Sequence, residues 1–309
     1  MSQFSPSEAA FSGFRLVRER PRAVTAWAGA LLAFGLIAGT ILYMMAWQPM
    51  LQMEMLQSEG RHDPAAMLKL FPAVLPAEGL LASLALFFYP VLYSAVFRTF
   101  LGEKEPRLGG LAFGSDELRL LGAFLLLCLS ILGLYILGLA AAVLLTVVAG
   151  VLLRLAHAPP LLLGLTTAIS FVLAFCFLIW AVIRLSLTLV VTAAEKRLGL
   201  RRSWRLTRGH FWSLLGAYVL AGIFILLCYL LIYAIIGAVI AVTLAVTHGN
   251  PWDFFNVLRF PLVHSALLPA YILAHLVMLW AFAALVAVKV GPSVAAYKAF
   301  SETAAPTQA

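Results

Sequence analysis

The chain has 309 residues, 63% of them apolar and only 11% charged, with a mean hydropathy of +1.02. Soluble domains carry about 25% charged residues, so no water-soluble fold can hide this much apolar side chain. The formal charge of +8 and the pI near 9.7 would point to nucleic acid in a soluble protein; here they report topology, because Lys and Arg collect in cytoplasmic loops, and no nucleic-acid partner is expected.

A bilayer-spanning helix needs about 20 mostly apolar residues, and the chain supplies enough for about six. The alternating pattern of an outer-membrane barrel strand is absent, so the expected fold is an all-α integral membrane protein. Residues 1–23 lack the short apolar core and small-residue cleavage site of a secretory signal, and no cleaved leader is expected. Ser5-Pro6-Ser7-Glu8 reads as a helix start, with Ser5 as N-cap, Pro6 at the first helical position and Glu8 closing a capping box. The helix after this start sets Phe11, Phe14 and Val17 beside Arg15, Arg18, Arg20 and Arg22. It reads either as a solvated basic lead-in or as an interfacial helix on anionic headgroups, and both place it in the cytoplasm.

The first span is expected over residues 23–47, with Trp27 and Trp47 in the aromatic belts at its ends. Residues 48–74 read as a loop. Its Met50, Met53, Met55 and His62 resemble a soft-metal set, but their spacing fits an amphipathic interfacial helix as well, and no metal is expected. The second span, residues 75–97, holds Glu78 near its outer end and Pro90 in its inner half, where a kink is expected. A basic cytoplasmic loop, residues 98–117, comes next.

The third apolar segment covers residues 118–153, roughly 54 Å of helix against a core of about 30 Å, so it must tilt, break or run along an interface. Gly133, Gly138 and Gly150 are its candidates for a bend or a close helix contact. Pro159-Pro160 makes an external turn into a fourth span at residues 161–191, which carries Arg184 near its cytoplasmic end. The fifth segment, residues 211–246, is again overlong and contains Gly222 and Gly237. An aromatic loop at residues 247–261 leads to the last span, residues 262–290, and a polar tail at 301–309 reads as disordered. Cys128, Cys176 and Cys228 fall inside spans at no metal-ligand spacing and read as small core residues.

Counting Lys and Arg under this arrangement puts seventeen on the cytoplasmic side and four outside (Arg61, Lys69, Arg154, Arg259). That asymmetry predicts both termini in the cytoplasm and agrees with an even number of spans. Phe14-Arg15-Leu16-Val17-Arg18 before the first span matches Trp204-Arg205-Leu206-Thr207-Arg208 before the fifth, and Leu118-Arg119-Leu120-Leu121-Gly122 echoes them before the third. The chain is thus expected to hold three tandem two-span units, near residues 5–100, 108–193 and 194–300, each opened by an amphipathic lead-in helix.

Arg184, Glu195 and the run Ser203-Trp204-Arg205-Leu206-Thr207-Arg208-Gly209-His210-Phe211-Trp212 resemble the membrane domain associated with bacterial glycerophosphodiester phosphodiesterases and its stand-alone relatives of unknown role. The likeness covers about 30 residues. It implies the membrane domain of a bacterial protein, and the six spans read from hydropathy would then lie in the bacterial inner membrane. It does not imply the hydrolase activity, because the chain has no room for the catalytic barrel and no acidic-plus-His metal cluster.

On one continuous helix, Leu200, Trp204, Thr207 and Phe211 would share a face, beside a basic strip of Arg197, Arg201, Arg205 and Arg208. Each cation near an anionic leaflet contributes about 1 kcal/mol, so the strip can hold the helix down or recruit headgroups. The other reading makes these residues topology signals only, with Arg184 and Lys289 snorkelling. The lipid- or partner-binding candidates are Arg197, Arg201, Arg202, Trp204, Arg205 and Arg208, with Arg15 and Arg18. His264 and His275 stand about three turns apart, a spacing that suits stacked haems, but no other span offers a matching His and no cofactor is expected. No nucleophile–base set, phosphate loop or carboxylate pair appears, so no catalytic function is expected. The reading is a non-enzymatic inner-membrane protein engaging anionic lipids or a membrane-protein partner. The competing readings are a permease for a lipid-like substrate and an accessory subunit of a membrane enzyme.

Overall fold

The computed structural model of the chain describes residues 4–58, 64–102, 107–246 and 268–304. Among them the regular elements are all helical: α1 (Pro6–Glu19), α2 (Pro21–Ser58), α3 (Pro64–Leu101), a 3-10 turn (Arg107–Gly110), α4 (Ser115–Leu155), α5 (Pro160–Leu185), α6 (Thr188–Glu195), α7 (Leu200–Leu206), α8 (Phe211–Val246) and α9 (Leu268–Ala304). Six stretches are long and apolar enough to cross a membrane: Pro21–Met53, Leu68–Leu101, Ser115–Leu155, Leu161–Glu195, Phe211–Val239 and Ile272–Glu302. The chain is a multi-pass membrane protein.

Its spans are inside-out relative to a soluble core. Leu144, Leu152, Leu226 and Leu231 are exposed, whereas Ala46, Ala77, Ala142, Ala181, Ala217, Ala221 and Ala283 are buried. Hydrocarbon gives leucine no reason to leave the surface, and small residues let helix backbones approach. The same logic corrects the expectation for the cysteines: Cys128 and Cys176 are exposed and Cys228 is half-buried, so they are not core residues.

Several expected boundaries move. Helix α2 runs on through Gln48 to Ser58 and α3 begins at Pro64, so most of the stretch read as a loop is helix; Arg61 and His62 lie outside the described residues. Helix α3 passes through Pro72, Pro76 and Pro90 without ending. The overlong segments do not break: α4 is 41 residues and α8 is 36. The fourth span does break. After Leu185 the Ser186 N–H turns back to the Ile183 carbonyl, and α6 restarts at Thr188. The last helix continues to Ala304, into the expected tail. The third lead-in is not a separate helix, because Ser115–Gly122 forms the first turns of α4. Residues 247–267, with His264 and Arg259, lie outside the described residues.

One compact unit comprises Met1–Ser12, Phe113–Ala221 and Val290–Ala309. It is built on the antiparallel α4–α5 hairpin, with α6 against α4 and α7 against α5 and α6. Gly138 and Gly150 serve the hairpin as close-contact points: a Cβ on them would stand 3.5 Å from Phe177 and 3.4 Å from Leu163, while Gly133 faces open space.

The other unit comprises Gly13–Ala112 and Gly222–Lys289. Its α2–α3 hairpin is closed at one end by the 3-10 turn, which packs on both helices. Phe34 stacks on Phe88 at 4.5 Å along the hairpin. Trp27, expected in an interfacial belt, is instead fully buried, and its Nε1 donates to the Gly109 carbonyl at 2.8 Å. Helix α1 is docked on α9 rather than lying free. A Cβ on Gly13 would fall 2.3 Å from the Val288 Cα, so backbone meets backbone there, and Phe14 meets Phe224 edge-on.

Candidate functional site

The charged end of the first unit is assembled where α5 stops. The Arg184 carbonyl is one of the last four of α5, which no intrahelical N–H can reach. It accepts from Ser203 Oγ at 2.9 Å, and Thr207 Oγ1 lies 3.2 Å away, its one proton shared with the nearer Ser203 carbonyl at 2.9 Å. The Arg184 guanidinium lies over two rings, with Cζ 5.4 Å from the Trp180 centroid and 5.7 Å from that of Trp204, and its Nη1 donates to the Trp204 carbonyl at 3.5 Å. The two indoles meet edge-on at 5.2 Å. Its Nε is buried without a hydrogen-bond partner, and attraction to the ring faces offsets that cost.

Helix α6 ends at Lys196, whose left-handed backbone (φ 52°) turns the chain back. Gly199 then lies directly against α6. A Cβ there would stand 2.7 Å from the Thr188 carbonyl oxygen and 2.8 Å from Val191, so only glycine fits. Its N–H donates to Thr192 Oγ1 at 3.0 Å, and that buried hydroxyl donates to the Thr188 carbonyl.

This geometry corrects the expected amphipathic helix. Helix α7 covers only Leu200–Leu206, and Gly209 at φ 87° turns the chain before α8 starts at Phe211. Its buried face is Ser203 and Leu206, continued by Thr207, not the line through Leu200, Trp204 and Phe211. The predicted strip divides in two. Arg197 pairs with Glu195, its Nε donating to Oε2 at 2.8 Å, and Arg202 Nε stands 3.3 Å from Glu195 Oε1. Arg201, Arg205 and Arg208 are exposed, and their guanidinium groups make no hydrogen bond or ion pair with any described residue. Trp204 lies among them, 37% exposed. Arg15 and Arg18 are likewise exposed, on α1. Asp116, at the start of α4, holds Arg119 at 2.8 Å and Lys196 at 3.7 Å.

The three lead-in segments share one burial register. Gly13, Glu117 and Ser203 occupy the same position and are buried; Leu16, Leu120 and Leu206, three residues on, are buried too. Glu195 as the shared partner of two arginines, and Gly199 as a contact point, were missed from sequence. A signal for them exists: Glu195-Lys196-Arg197-Leu198-Gly199 repeats Glu103-Lys104-Glu105-Pro106-Arg107-Leu108-Gly109 with two residues removed. Both glycines lie against helix backbone, since a Cβ on Gly109 would be 3.1 Å from the Ala23 carbonyl oxygen.

No protein-family model, curated protein or solved structure matches this chain. Among the described residues no three His, Cys, Asp or Glu side chains gather as a metal site, and His275 is exposed on α9. What remains is a cluster of uncompensated, exposed arginines around an exposed indole, an arrangement that attracts anions at an apolar boundary.

Proposed function

We propose that this protein is a non-enzymatic component of the bacterial inner membrane, with both termini in the cytoplasm, that holds anionic phospholipid at the charged ends of its helices. The observation that carries this reading is that Arg201, Arg205 and Arg208 are exposed and have no hydrogen-bond or ion-pair partner among the described residues, in the segment that carries Trp204, while Glu195 occupies Arg197 and Arg202. The Trp204 indole packs on Arg184 and Trp180 yet stays 37% exposed in the same segment as these cations, and a partly wet indole belongs at the headgroup level. Arg15 and Arg18 extend the same chemistry to α1. The three two-span units are the organising plan of this proposal, supported by the common burial register of their lead-in segments. The kinship proposed is with the membrane domain associated with glycerophosphodiester phosphodiesterases, whose Ser-Trp-x-Leu-Thr pattern holds α7 to α5 in this chain.

The full chain purified in mild detergent should retain phosphatidylglycerol and cardiolipin above their share of the source membrane, measured by mass spectrometry of bound lipid. R201Q/R205Q/R208Q should lower that retention by up to about a hundredfold, each of the three cations contributing about 1 kcal/mol near an anionic surface. Equal retention of phosphatidylcholine by the wild type would overturn the reading.

A further inference from the structure

Between α8 and α9, within the second unit, lies a cavity of about 430 Å³ lined by Tyr229, Ile232, Tyr233, Met278 and Phe282. None of these is part of the arginine cluster. The lining is apolar apart from two phenol hydroxyls, and the rings of Tyr229 and Tyr233 stack at 6.3 Å along one face of α8. Tyr233 is more than half exposed, so the cavity opens at the surface of a helix long and apolar enough to cross a membrane.

The occupant is indicated by charge. Lys289 lies seven residues after Phe282 and eleven after Met278 on α9, which at 100° per residue brings it within about 20° of both, on one face with its Cα roughly 10 Å along the axis from that of Phe282. It is exposed, makes no hydrogen bond or ion pair with a described residue, and stands within electrostatic range of Tyr229. A cation at one end of an apolar slot whose other walls are aromatic and aliphatic matches one ligand shape: an anionic head joined to a hydrocarbon tail. A neutral lipid would leave the ammonium without a counter-charge at the edge of a low-dielectric region, and a free anion would leave the slot unfilled.

We infer that the α8–α9 cleft is a discrete binding site for one anionic phospholipid, its phosphate on Lys289 and an acyl chain among Tyr229, Ile232, Tyr233, Met278 and Phe282. The site is independent of the arginine cluster and stands whether or not that cluster binds lipid. Its two parts have separable jobs: Lys289 selects charge, and the slot holds the chain.

The test uses the full chain in nanodiscs containing phosphatidylglycerol or phosphatidylcholine with a diazirine in one acyl chain, then mass spectrometry of the cross-linked peptides. Cross-links should fall on residues 229–233 and 278–282 and favour phosphatidylglycerol. K289Q should lower the phosphatidylglycerol yield roughly fivefold, to the level of phosphatidylcholine. I232W, which fills the slot, should lower both yields together. R201Q/R205Q/R208Q should leave these cross-links unchanged, which separates a failure here from a failure at the arginines. Equal yields of the two lipids in the wild type, or a yield that K289Q does not alter, would overturn the site.

Discussion

The two helical hairpins end in joints built from opposite parts. At the end of α3, side chains of the helices reach out to loop backbone: Arg98 Nη1 donates to the Gly110 carbonyl at 3.1 Å and Trp27 Nε1 to the Gly109 carbonyl at 2.8 Å. At the end of α5 the direction reverses, and side chains of α7 and its C-cap reach in to helix backbone, Ser203 donating to the Arg184 carbonyl and Thr207 sharing its proton between that carbonyl and that of Ser203. Both joints set a glycine against a helix. The first depends on side chains within the hairpin, and the second on side chains from the segment beyond it.

The largest effect expected from breaking this comparison is at Gly199. Its φ of −88° suits any residue, so Gly199→Ala fails on space alone, against a backbone carbonyl that cannot move aside. A loss of roughly 2–3 kcal/mol is expected, read as a lowered melting temperature of the detergent-purified chain. Gly109→Ala should cost less, about 1–2 kcal/mol, because its main penalty is the left-handed backbone at φ 64°, and its nearest neighbours, the Ala26 methyl at 3.0 Å and the Ala23 carbonyl oxygen at 3.1 Å, stand farther off than those at Gly199. A Gly109 variant that melts below the Gly199 variant would invert this ordering.

Next come the hydroxyls. Ser203→Ala removes the nearer donor to the Arg184 carbonyl, and Thr207→Val keeps the shape while removing the hydroxyl shared between the Arg184 and Ser203 carbonyls; each should cost about 1 kcal/mol. The double variant should cost more than the sum of the two, since each single change leaves the carbonyl one partner and the pair leaves none. Strict additivity would mean that water replaces the lost donors.

Arg184→Lys tests the side chain. The ammonium keeps the charge but loses the planar overlap with Trp180 and Trp204, for about 0.5–1 kcal/mol. Arg98→Lys should cost no more than that, because an ammonium can also donate to the Gly110 carbonyl. The smallest stability change belongs to R201Q/R205Q/R208Q, within about 0.5 kcal/mol, since those groups hold nothing in the fold. Its effect is reserved for bound lipid.

The reversal between joints explains what was legible in the sequence. Side chains that grip backbone leave a residue signature, and Ser203-Trp204 with Leu206-Thr207 stood out for that reason. Backbone that is gripped leaves none: any residue supplies the Gly109 and Gly110 carbonyls, so the first joint was read only as a charged loop. Span number and the helical class came from hydropathy, because long apolar runs have one solution in hydrocarbon. Helix ends did not. Nothing in apolarity says that α2 should continue past Trp47 or that the fourth span should break at Ser186, both of which are set by local hydrogen bonding. The basic strip misled for a related reason: a helical wheel extends a seven-residue helix through Gly209, where the backbone turns.

The contact between Gly13 and Val288 carries a consequence for synthesis. The partner of α1 is made 275 residues after it, which at 5–20 residues per second is roughly 15–55 s of translation. Throughout that interval α1 lacks the α9 backbone against which Gly13 packs. Under the lipid reading proposed above, exposed Arg15 and Arg18 would hold it at the anionic face of the bilayer until α9 is inserted. Helix α1 then acts as the latch of the finished protein, and a bulky residue at Gly13 would leave every span inserted and the assembly unclosed.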